Sequence, residues 1–266
     1  MANDFVFKEK YDVYDLVRVI KALRSEGGCP WDIEQTHESI RKNLIEETYE
    51  TIEAINKGDA EMLREELGDV LMQVIFHAQI EDEKGVFNID DVADENCRKM
   101  IERHPHVFGE VNVNSVDDVL TNWDAIKRKS KGQKTTSQAI DSIPRELPAL
   151  MRADKVQSKA AKAGFDWSEV SGALDRLYEE IGELRDAITN GDKDEISDEL
   201  GDVLFSAVNV SRFVKVDAEE ALTASTDKFV SRLKTVEKLA QERGIDMKSS
   251  SLEVLDELWD EAKKCM

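Results

Sequence analysis

The sequence predicts an all-α protein made of two tandem helical-bundle domains, each built on an antiparallel hairpin of two long helices. The composition supports this fold class, since 35% of the 266 residues are charged, 6% are aromatic and only 4 are proline, as is typical of helix-rich proteins. Apolar residues recur at spacings of three and four, whereas the alternation typical of strands is nearly absent. The most distinctive patterns of the first half occur again in the second half.

An internal repeat predicts the two domains. The hexapeptide Glu-Leu-Gly-Asp-Val-Leu occurs at residues 66–71 and again at residues 199–204. A Glu-Glu-x-x-Glu pattern precedes each copy, at residues 46–50 and 179–183. Because both patterns occur in the same order and at the same separation in each half, we interpret the chain as a duplicated helical domain.

A polar segment separates the two copies. Residues 127–148 contain two of the 4 prolines and lack apolar periodicity, which is typical of a linker. We therefore predict an N-terminal domain at residues 10–127, a linker at residues 128–146 and a C-terminal domain at residues 147–266.

Each predicted hairpin turns at a glycine that is followed by an aspartate. Gly58 and Gly191 can adopt the left-handed conformation that ends a helix. Asp59 and Asp192 can cap the helix that follows. The chain therefore reverses direction at the same point of both copies.

The second helix of each hairpin carries an apolar stripe. Its members are Leu63, Leu67, Val70, Leu71, Val74 and Ile75 in the first half and Ile196, Leu200, Val203, Leu204 and Val208 in the second. We expect the Val-Leu pair of the hexapeptide to face the bundle core. Two helices cannot bury such stripes by themselves, so we expect further helices and a second copy of the chain, in a homodimer, to complete each bundle.

Carboxylates at matched distances from the turn are the candidate metal ligands. Glu50 and Glu66 lie equally far from the turn glycine on opposite sides of it, and so do Glu47 and Asp69. Since the rise of a helix is uniform, each pair should lie level across the hairpin. The same positions recur in the second half as Glu180, Glu183, Glu199 and Asp202.

Facing carboxylates repel one another, so they need water, protons or cations. Oxygen ligands of this kind suit hard cations, which favours Mg²⁺, with Mn²⁺ as a possible substitute. The alternative is a solvated acidic helix face in a chain with 57 acidic residues. Gly68 and Gly201 lie between the acids, where a missing side chain leaves room for a ligand or for close packing of helices.

Cations and tryptophans downstream are candidate substrate-binding residues. They are Lys99, Arg103 and Trp123 in the first half and Arg176, Lys228, Arg232 and Trp259 in the second. Basic residues four apart share a helix face and can bind phosphate oxygens, and an indole can stack on a base. The alternatives are surface salt bridges and core tryptophans. Arg176 has Asn43 as its counterpart in the first half.

Taken together, these motifs resemble the all-α nucleoside triphosphate pyrophosphohydrolases, in the tandem form of the MazG family. The resemblance also rests on residues 27–32, 103–109 and 143–155 and covers nearly the whole chain. It implies a dimeric bacterial enzyme of the cytosol that uses Mg²⁺ to convert nucleoside triphosphates into monophosphate and pyrophosphate. The family's metal ligands fall on Glu180, Glu183, Glu199 and Asp202, and its phosphate-side and base-side residues fall near Lys228, Arg232 and Trp259.

The resemblance also implies that the second half is the main catalytic half. Glu179, and Glu46 at the corresponding position of the first half, are candidates to orient or deprotonate the attacking water. We predict water attack at the α-phosphorus with pyrophosphate as the leaving group, a reaction that depends on positioning and charge neutralisation.

Other functional classes fit the sequence less well. The net charge of −21 argues against binding of a nucleic-acid polymer, and neither a signal peptide nor a membrane-spanning segment is evident, so we expect a cytoplasmic protein. A non-catalytic nucleotide sensor or helical scaffold is the main alternative. A di-iron bundle would need two Glu-x-x-His motifs, and only Glu34 to His37 matches.

Overall fold

A computed structural model describes residues 5–130, 132–133 and 135–264, without the side chain of Lys129. These residues form 13 helices and no strand, which confirms the all-α prediction. The chain divides into two compact units, and the division follows Lys127. No helix within the described residues is long and apolar enough to cross a membrane.

The first unit is built around the hairpin of α3 and α4. Its helices are α1 (Val13–Arg24), α2 (Pro30–Glu34), α3 (His37–Lys57), α4 (Ala60–Glu83), α5 (Ile89–Arg103), α6 (Pro105–Phe108) and α7 (Val116–Ser130), the last of which crosses the division between the units. Helix α1 packs against α4. Burial of Ile20, Ile40, Ile75, Phe76 and Ile80 forms the core between α1, α3 and α4.

The second unit repeats the hairpin with α10 and α11. Its helices are α8 (Thr136–Asp141), α9 (Ala149–Lys162), α10 (Val170–Asn190), α11 (Lys193–Phe213), α12 (Ala218–Glu242) and α13 (Leu252–Lys264). Helix α9 packs on α11, and α12 packs on α13. Val236, Ala240, Leu258 and Ala262 form a buried cluster between α12 and α13.

Both hairpin turns form as the sequence predicts. Gly58 ends α3 and Gly191 ends α10, both in the left-handed region, with φ of 65° and 79°. The side chain of Asp59 accepts hydrogen bonds from two amides in the first turn of α4, and Asp192 does the same for α11. Local turn and capping chemistry therefore places the two arms of each hairpin side by side.

The apolar stripes are only partly buried, which corrects the expectation that the Val-Leu pairs face a core. Leu71 is 37% exposed and Leu204 is 50% exposed, whereas Ile75 and Val208 are each 1% exposed. The buried positions lie farther from the turn, where α1 packs on α4 and α9 packs on α11. Nearer the turn, beside the acids, Leu67 and Leu200 are exposed, whereas Val70 and Val203 are half-buried. Residues 136–141 of the predicted linker form helix α8.

Candidate functional site

Each hairpin brings three acids together. Glu47 on α3 lies with Glu66 and Asp69 of α4, so that one carboxylate oxygen of each is within 4.8 Å of the others. Glu180 on α10 forms the same arrangement with two acids of α11, Glu199 and Asp202. We call these groups the N-terminal and the C-terminal acid site.

The electrostatics of the N-terminal acid site follow the predicted pairing across the hairpin. Burial raises the pKa of Glu47, and the charge of Asp69 raises it further. Burial also raises the pKa of Glu66, followed by the charge of Glu50. Asp69 therefore repels Glu47 across the hairpin, and Glu50 repels Glu66. The charge of Glu50 thus contributes to the electrostatics of the same acid site.

The C-terminal acid site repeats this pairing with Glu183 in the place of Glu50. Burial raises the pKa of Glu199, and the charges of Glu183 and Asp202 raise it further. Burial is also the main reason for the raised pKa of Glu180. Both sites therefore disfavour several negative charges at once, because burial and mutual repulsion act on the same carboxylates.

Two buried oxygens of the C-terminal acid site have no hydrogen-bond partner among the described residues. Glu180 is 3% exposed, and its Oε2 atom is buried without a donor, as is Oε2 of Glu199. A buried carboxylate oxygen without a donor is costly, because it has lost water and gained nothing in exchange. Such oxygens, aimed between two acid-bearing helices, are suited to a hard cation, so the residues present fit a divalent metal ion.

Arg176 projects onto the acid-bearing face of α10. Its Nη2 atom lies 2.7 Å from Oε1 of Glu180 and 3.9 Å from Oε2 of Glu183. Its Nη1 atom donates to Oε2 of Glu179 at 3.1 Å. One guanidinium thus contacts three carboxylates, and it lowers the pKa of Glu180 against the effect of burial.

The two candidate proton acceptors lie beside the acid sites. Glu179 is exposed and pairs with Arg176, and Glu46 is also exposed. Neither belongs to the groups of three acids whose carboxylate oxygens lie within 4.8 Å of one another. Each precedes a predicted metal ligand by one residue on the same helix, so its side chain points in a different direction from the side chain of that ligand.

The predicted substrate-binding residues form a second kind of cluster. The guanidinium of Arg232 on α12 lies 5.9 Å from the ring centroid of Trp259 on α13, and Arg103 lies 5.4 Å from Trp123. The Nε atoms of both arginines are buried without a hydrogen-bond partner. These arginine and tryptophan pairs are on different helices from the acids, and they recur in both units.

The two lysines among the predicted substrate-binding residues differ in their exposure and in their contacts. Lys228 is exposed on α12. Lys99 is half-buried and lies 3.4 Å from Glu95, one turn earlier on α5. A surface pair of this kind is weak, so it leaves Lys99 able to exchange partners.

The hexapeptide glycines face open space. A Cβ atom built at Gly68 or Gly201 would meet no described atom within 4 Å outside the local helix. Close packing of helices within the described chain therefore does not account for these glycines. The apolar residues beside them are also uncovered, since Leu67 is 51% exposed and Leu200 is 48% exposed.

A histidine pair is a feature that the sequence pattern did not predict. Nδ1 of His37 lies 2.7 Å from Nδ1 of His77, and Nε2 of His37 lies 2.6 Å from Oε1 of Glu81. The rings are nearly coplanar, at 8°, with centroids 5.0 Å apart. Because that distance is about the N···N distance plus the two ring radii, the nitrogens point at each other in one N–H···N hydrogen bond. His37 therefore links α3 to α4 through His77 and Glu81, and its position needs no role as a di-iron ligand.

Comparison with known proteins relates both hairpins to one family. The model of the MazG nucleotide pyrophosphohydrolase domain matches residues 35–108 and 169–237. Nucleoside triphosphate pyrophosphohydrolase/pyrophosphatase MazG of Thermotoga maritima is 46% identical over 249 residues, covering 94% of both chains. Nucleoside triphosphate pyrophosphohydrolase of Escherichia coli K12 is 41% identical over 254 residues, covering 94% of this chain and 96% of that protein. Uncharacterized protein YabN of Bacillus subtilis is 47% identical over 249 residues, covering 92% of this chain and 50% of that protein.

Proposed function

The chain belongs to the MazG nucleotide pyrophosphohydrolase family, and from this premise we propose how its residues carry out the reaction. It is a nucleoside triphosphate pyrophosphohydrolase, like its relatives from Thermotoga maritima and Escherichia coli.

The C-terminal acid site would hold Mg²⁺ through Glu180, Glu183, Glu199 and Asp202. The observation that carries this proposal is the pair of buried Oε2 atoms, on Glu180 and Glu199, that have no hydrogen-bond donor. When bound, Mg²⁺ supplies positive charge for the phosphate oxygens and Lewis acidity for the reaction, and Mn²⁺ can replace it. The N-terminal acid site offers the equivalent set of Glu47, Glu50, Glu66 and Asp69, so it is a second candidate for the metal.

Hydrolysis proceeds by attack of water on the α-phosphorus. A bond forms between the water oxygen and that phosphorus, the bond to the bridging oxygen breaks, and pyrophosphate leaves with the electron pair. Exposed Glu179 lies next to the acid site and accepts the proton of the water, and Glu46 has this position in the first half. The chain's contribution is mainly to position the phosphates and to neutralise their charge.

The arginine and tryptophan clusters bind the nucleotide. Trp259 offers a half-buried indole for stacking on a base. The buried Nε of Arg232 lacks a partner, and a phosphate oxygen would supply one. Lys228 lies one turn before Arg232 and adds a second cation, while Lys99, Arg103 and Trp123 repeat this set in the first half.

We also propose a homodimer that covers the exposed apolar surface of the hairpins. Exposed apolar residues line all four hairpin helices: Ile45, Tyr49 and Ile52 on α3, Leu67 and Leu71 on α4, Tyr178, Ile181 and Ile188 on α10, and Leu200, Leu204 and Phe205 on α11. An exposed apolar surface of this extent is typical of an interface. The enzyme is expected to work in the cytoplasm, without a membrane or a nucleic-acid polymer as partner.

Hydrolysis in ¹⁸O-labelled water tests the bond that breaks. The label is expected in the nucleoside monophosphate, and label in pyrophosphate would contradict attack at the α-phosphorus. A titration with Mg²⁺ and Mn²⁺ after chelator treatment measures the metal requirement. Absence of pyrophosphate over hours, with nucleotide still bound, would favour the non-catalytic nucleotide sensor.

A further inference from the structure

The C-terminal acid site carries its own counter-ion. The guanidinium of Arg176 makes its shortest contact, 2.7 Å, with Glu180 and also reaches Glu183 at 3.9 Å. The arginine side chain is 40% exposed, whereas that of Glu180 is 4% exposed. The arginine can therefore leave the acid site by moving into solvent, while the buried carboxylate has to stay.

The N-terminal acid site has no such residue at the matching position. Asn43 stands one turn before Glu47, as Arg176 stands one turn before Glu180. The amide of asparagine is neutral and shorter than an arginine side chain, so it cannot neutralise the carboxylates. The two hairpins thus carry the same acids, but only the second has an arginine side chain beside its acids at this position.

We infer that Arg176 competes with the divalent cation for Glu180 and Glu183, and that a polyphosphate relieves this competition by taking the arginine. The C-terminal site therefore binds metal weakly by itself and tightly together with a triphosphate. The N-terminal site lacks this arginine, so a triphosphate favours its metal binding only through the direct attraction between the metal and the phosphates. This inference rests on the proposed metal-binding function of the acid sites.

Charge balance explains the coupling. A guanidinium and a metal ion cannot both occupy the oxygens of Glu180 without strong repulsion. Metal binding alone therefore has to move Arg176 off Glu180 and Glu183, which leaves it with the exposed carboxylate of Glu179. A bound triphosphate offers a partner with more negative charge, since arginine pairs well with phosphate oxygens. Metal and triphosphate then favour each other's binding by the same factor, as linkage requires.

Binding of Mn²⁺ to the full chain tests this without turnover. Glu47→Gln with Glu50→Gln leaves the C-terminal site to be measured by calorimetry or electron paramagnetic resonance. Titrations are run with and without an α,β-imido nucleoside triphosphate, and corrected for Mn²⁺ bound to the free analogue. We expect the analogue to tighten Mn²⁺ binding by about tenfold, a usual size for coupled sites. In Arg176→Asn, Mn²⁺ alone should bind about tenfold more tightly, and the analogue should tighten that binding by a smaller factor than it does with arginine at position 176.

A matched control separates this effect from a change in net charge. Arg185 lies on the same helix and is exposed, and Arg185→Asn should leave Mn²⁺ binding unchanged. Arg176→Gln provides a second variant if the asparagine disturbs α10, and thermal unfolding verifies that each variant folds.

The outcomes distinguish the inference from the proposed function. If Mn²⁺ binds the C-terminal site equally well with arginine or asparagine at position 176, and the analogue tightens that binding by the same factor in both proteins, the inference is overturned while the metal site stands. If Mn²⁺ binds neither acid site in any variant, with or without the analogue, the proposed metal function itself fails.

Discussion

The two acid sites carry the same carboxylates on the same kind of hairpin, yet their surroundings differ. Glu180 is buried and holds Arg176, whereas its counterpart Glu47 is half-buried and has Asn43 one turn before it. The C-terminal site thus combines unpartnered buried oxygens with a built-in cation. The N-terminal site has four acids, and in the part of the chain that the structure describes no arginine or lysine forms an ion pair with them. A duplicated motif therefore does not duplicate its electrostatics, because one residue outside the motif changes the charge among the ligands.

The largest expected effect concerns which half works. Glu180→Gln with Glu183→Gln should lower pyrophosphate release by about 100-fold or more, because metal ligands are lost. The matched change, Glu47→Gln with Glu50→Gln, should have a smaller effect. Initial rates at saturating Mg²⁺ measure both. If only the N-terminal change abolishes hydrolysis, the catalytic role belongs to the first half.

Transferring the counter-ion should make the two sites alike. Asn43→Arg places a guanidinium one turn before Glu47, and we expect Mn²⁺ binding at the N-terminal site to weaken by about tenfold. The measurement uses a background with Glu180→Gln and Glu183→Gln, and Asn43→Gln is the neutral control of intermediate length. Equal weakening by both substitutions would assign the effect to shape rather than to charge.

Mild acid should loosen the first unit before the second. All four histidines lie in the first half, and burial, followed by the charge of His37, lowers the pKa of His77. The unfolded chain therefore binds a proton near the ordinary value of 6.5 while folded His77 stays neutral. The stabilisation is present above this pH and is lost as pH falls towards the folded pKa.

The groups around His77 set the window of this pH effect. His37 contacts His77, and Glu81 contacts the other nitrogen of His37. Lys84 holds the pKa of Glu81 below its ordinary value of 4.5, so Glu81 should not titrate near pH 6. The hydrogen-exchange protection factors of α3 and α4, which are relative to the intrinsic exchange rate at each pH, should fall a few-fold between pH 7 and pH 5.5, below the roughly tenfold per pH unit of one fully linked proton. His77→Gln should flatten this dependence. An equal fall in α10 and α11 would contradict the assignment to the histidine pair.

Alanine at the hexapeptide glycines should stabilise each hairpin. Since nothing lies near a Cβ at Gly68 or Gly201, the substitution should raise the free energy of unfolding by up to about 1 kcal/mol through helix propensity. Gly182→Ala is the control, because it is also in a helix interior and its Cβ also meets nothing. A loss of stability at Gly201 but not at Gly182, with a weaker dimer in analytical ultracentrifugation, would show that a second copy occupies that space.

The smallest effect should appear in metal-free protein. Glu47→Gln removes one of several repelling carboxylates and should raise the free energy of unfolding by about 0.5 kcal/mol. Glu180→Gln should give no gain, because it also removes the shortest contact of Arg176. Thermal unfolding in chelator measures both. A larger gain from Glu180→Gln would mean that Arg176 does not offset the repulsion at the C-terminal site.

Much of the hairpin geometry could be predicted from sequence because its causes are local. Glycine at the turn and aspartate at the cap determine where one helix ends and the next begins. Once the turn is known, the uniform rise of a helix sets which acids are level. Counting from Gly58 and Gly191 therefore paired Glu47 with Asp69 and Glu183 with Glu199. Helical spacing likewise placed Arg176 on the acid-bearing face.

Other features depend on contacts between distant residues. His37 and His77 meet only because α3 and α4 pack side by side, and no spacing in the sequence marks them as a pair. The amphipathic stripe predicted a buried face, but it did not show which part of that face the neighbouring helices cover. Leu204 therefore stays exposed while Val208, one turn further along, is buried.

The sequence by itself determined the all-α fold class, the duplication, the two turns and the acids that face one another. Only the tertiary structure decided how deeply each acid is buried, which oxygens lack a donor and that the guanidinium of Arg176 rests on Glu180. The physical reason is that helix periodicity and capping act over a few residues. Solvent exclusion and charge pairing depend on every segment that packs against the site.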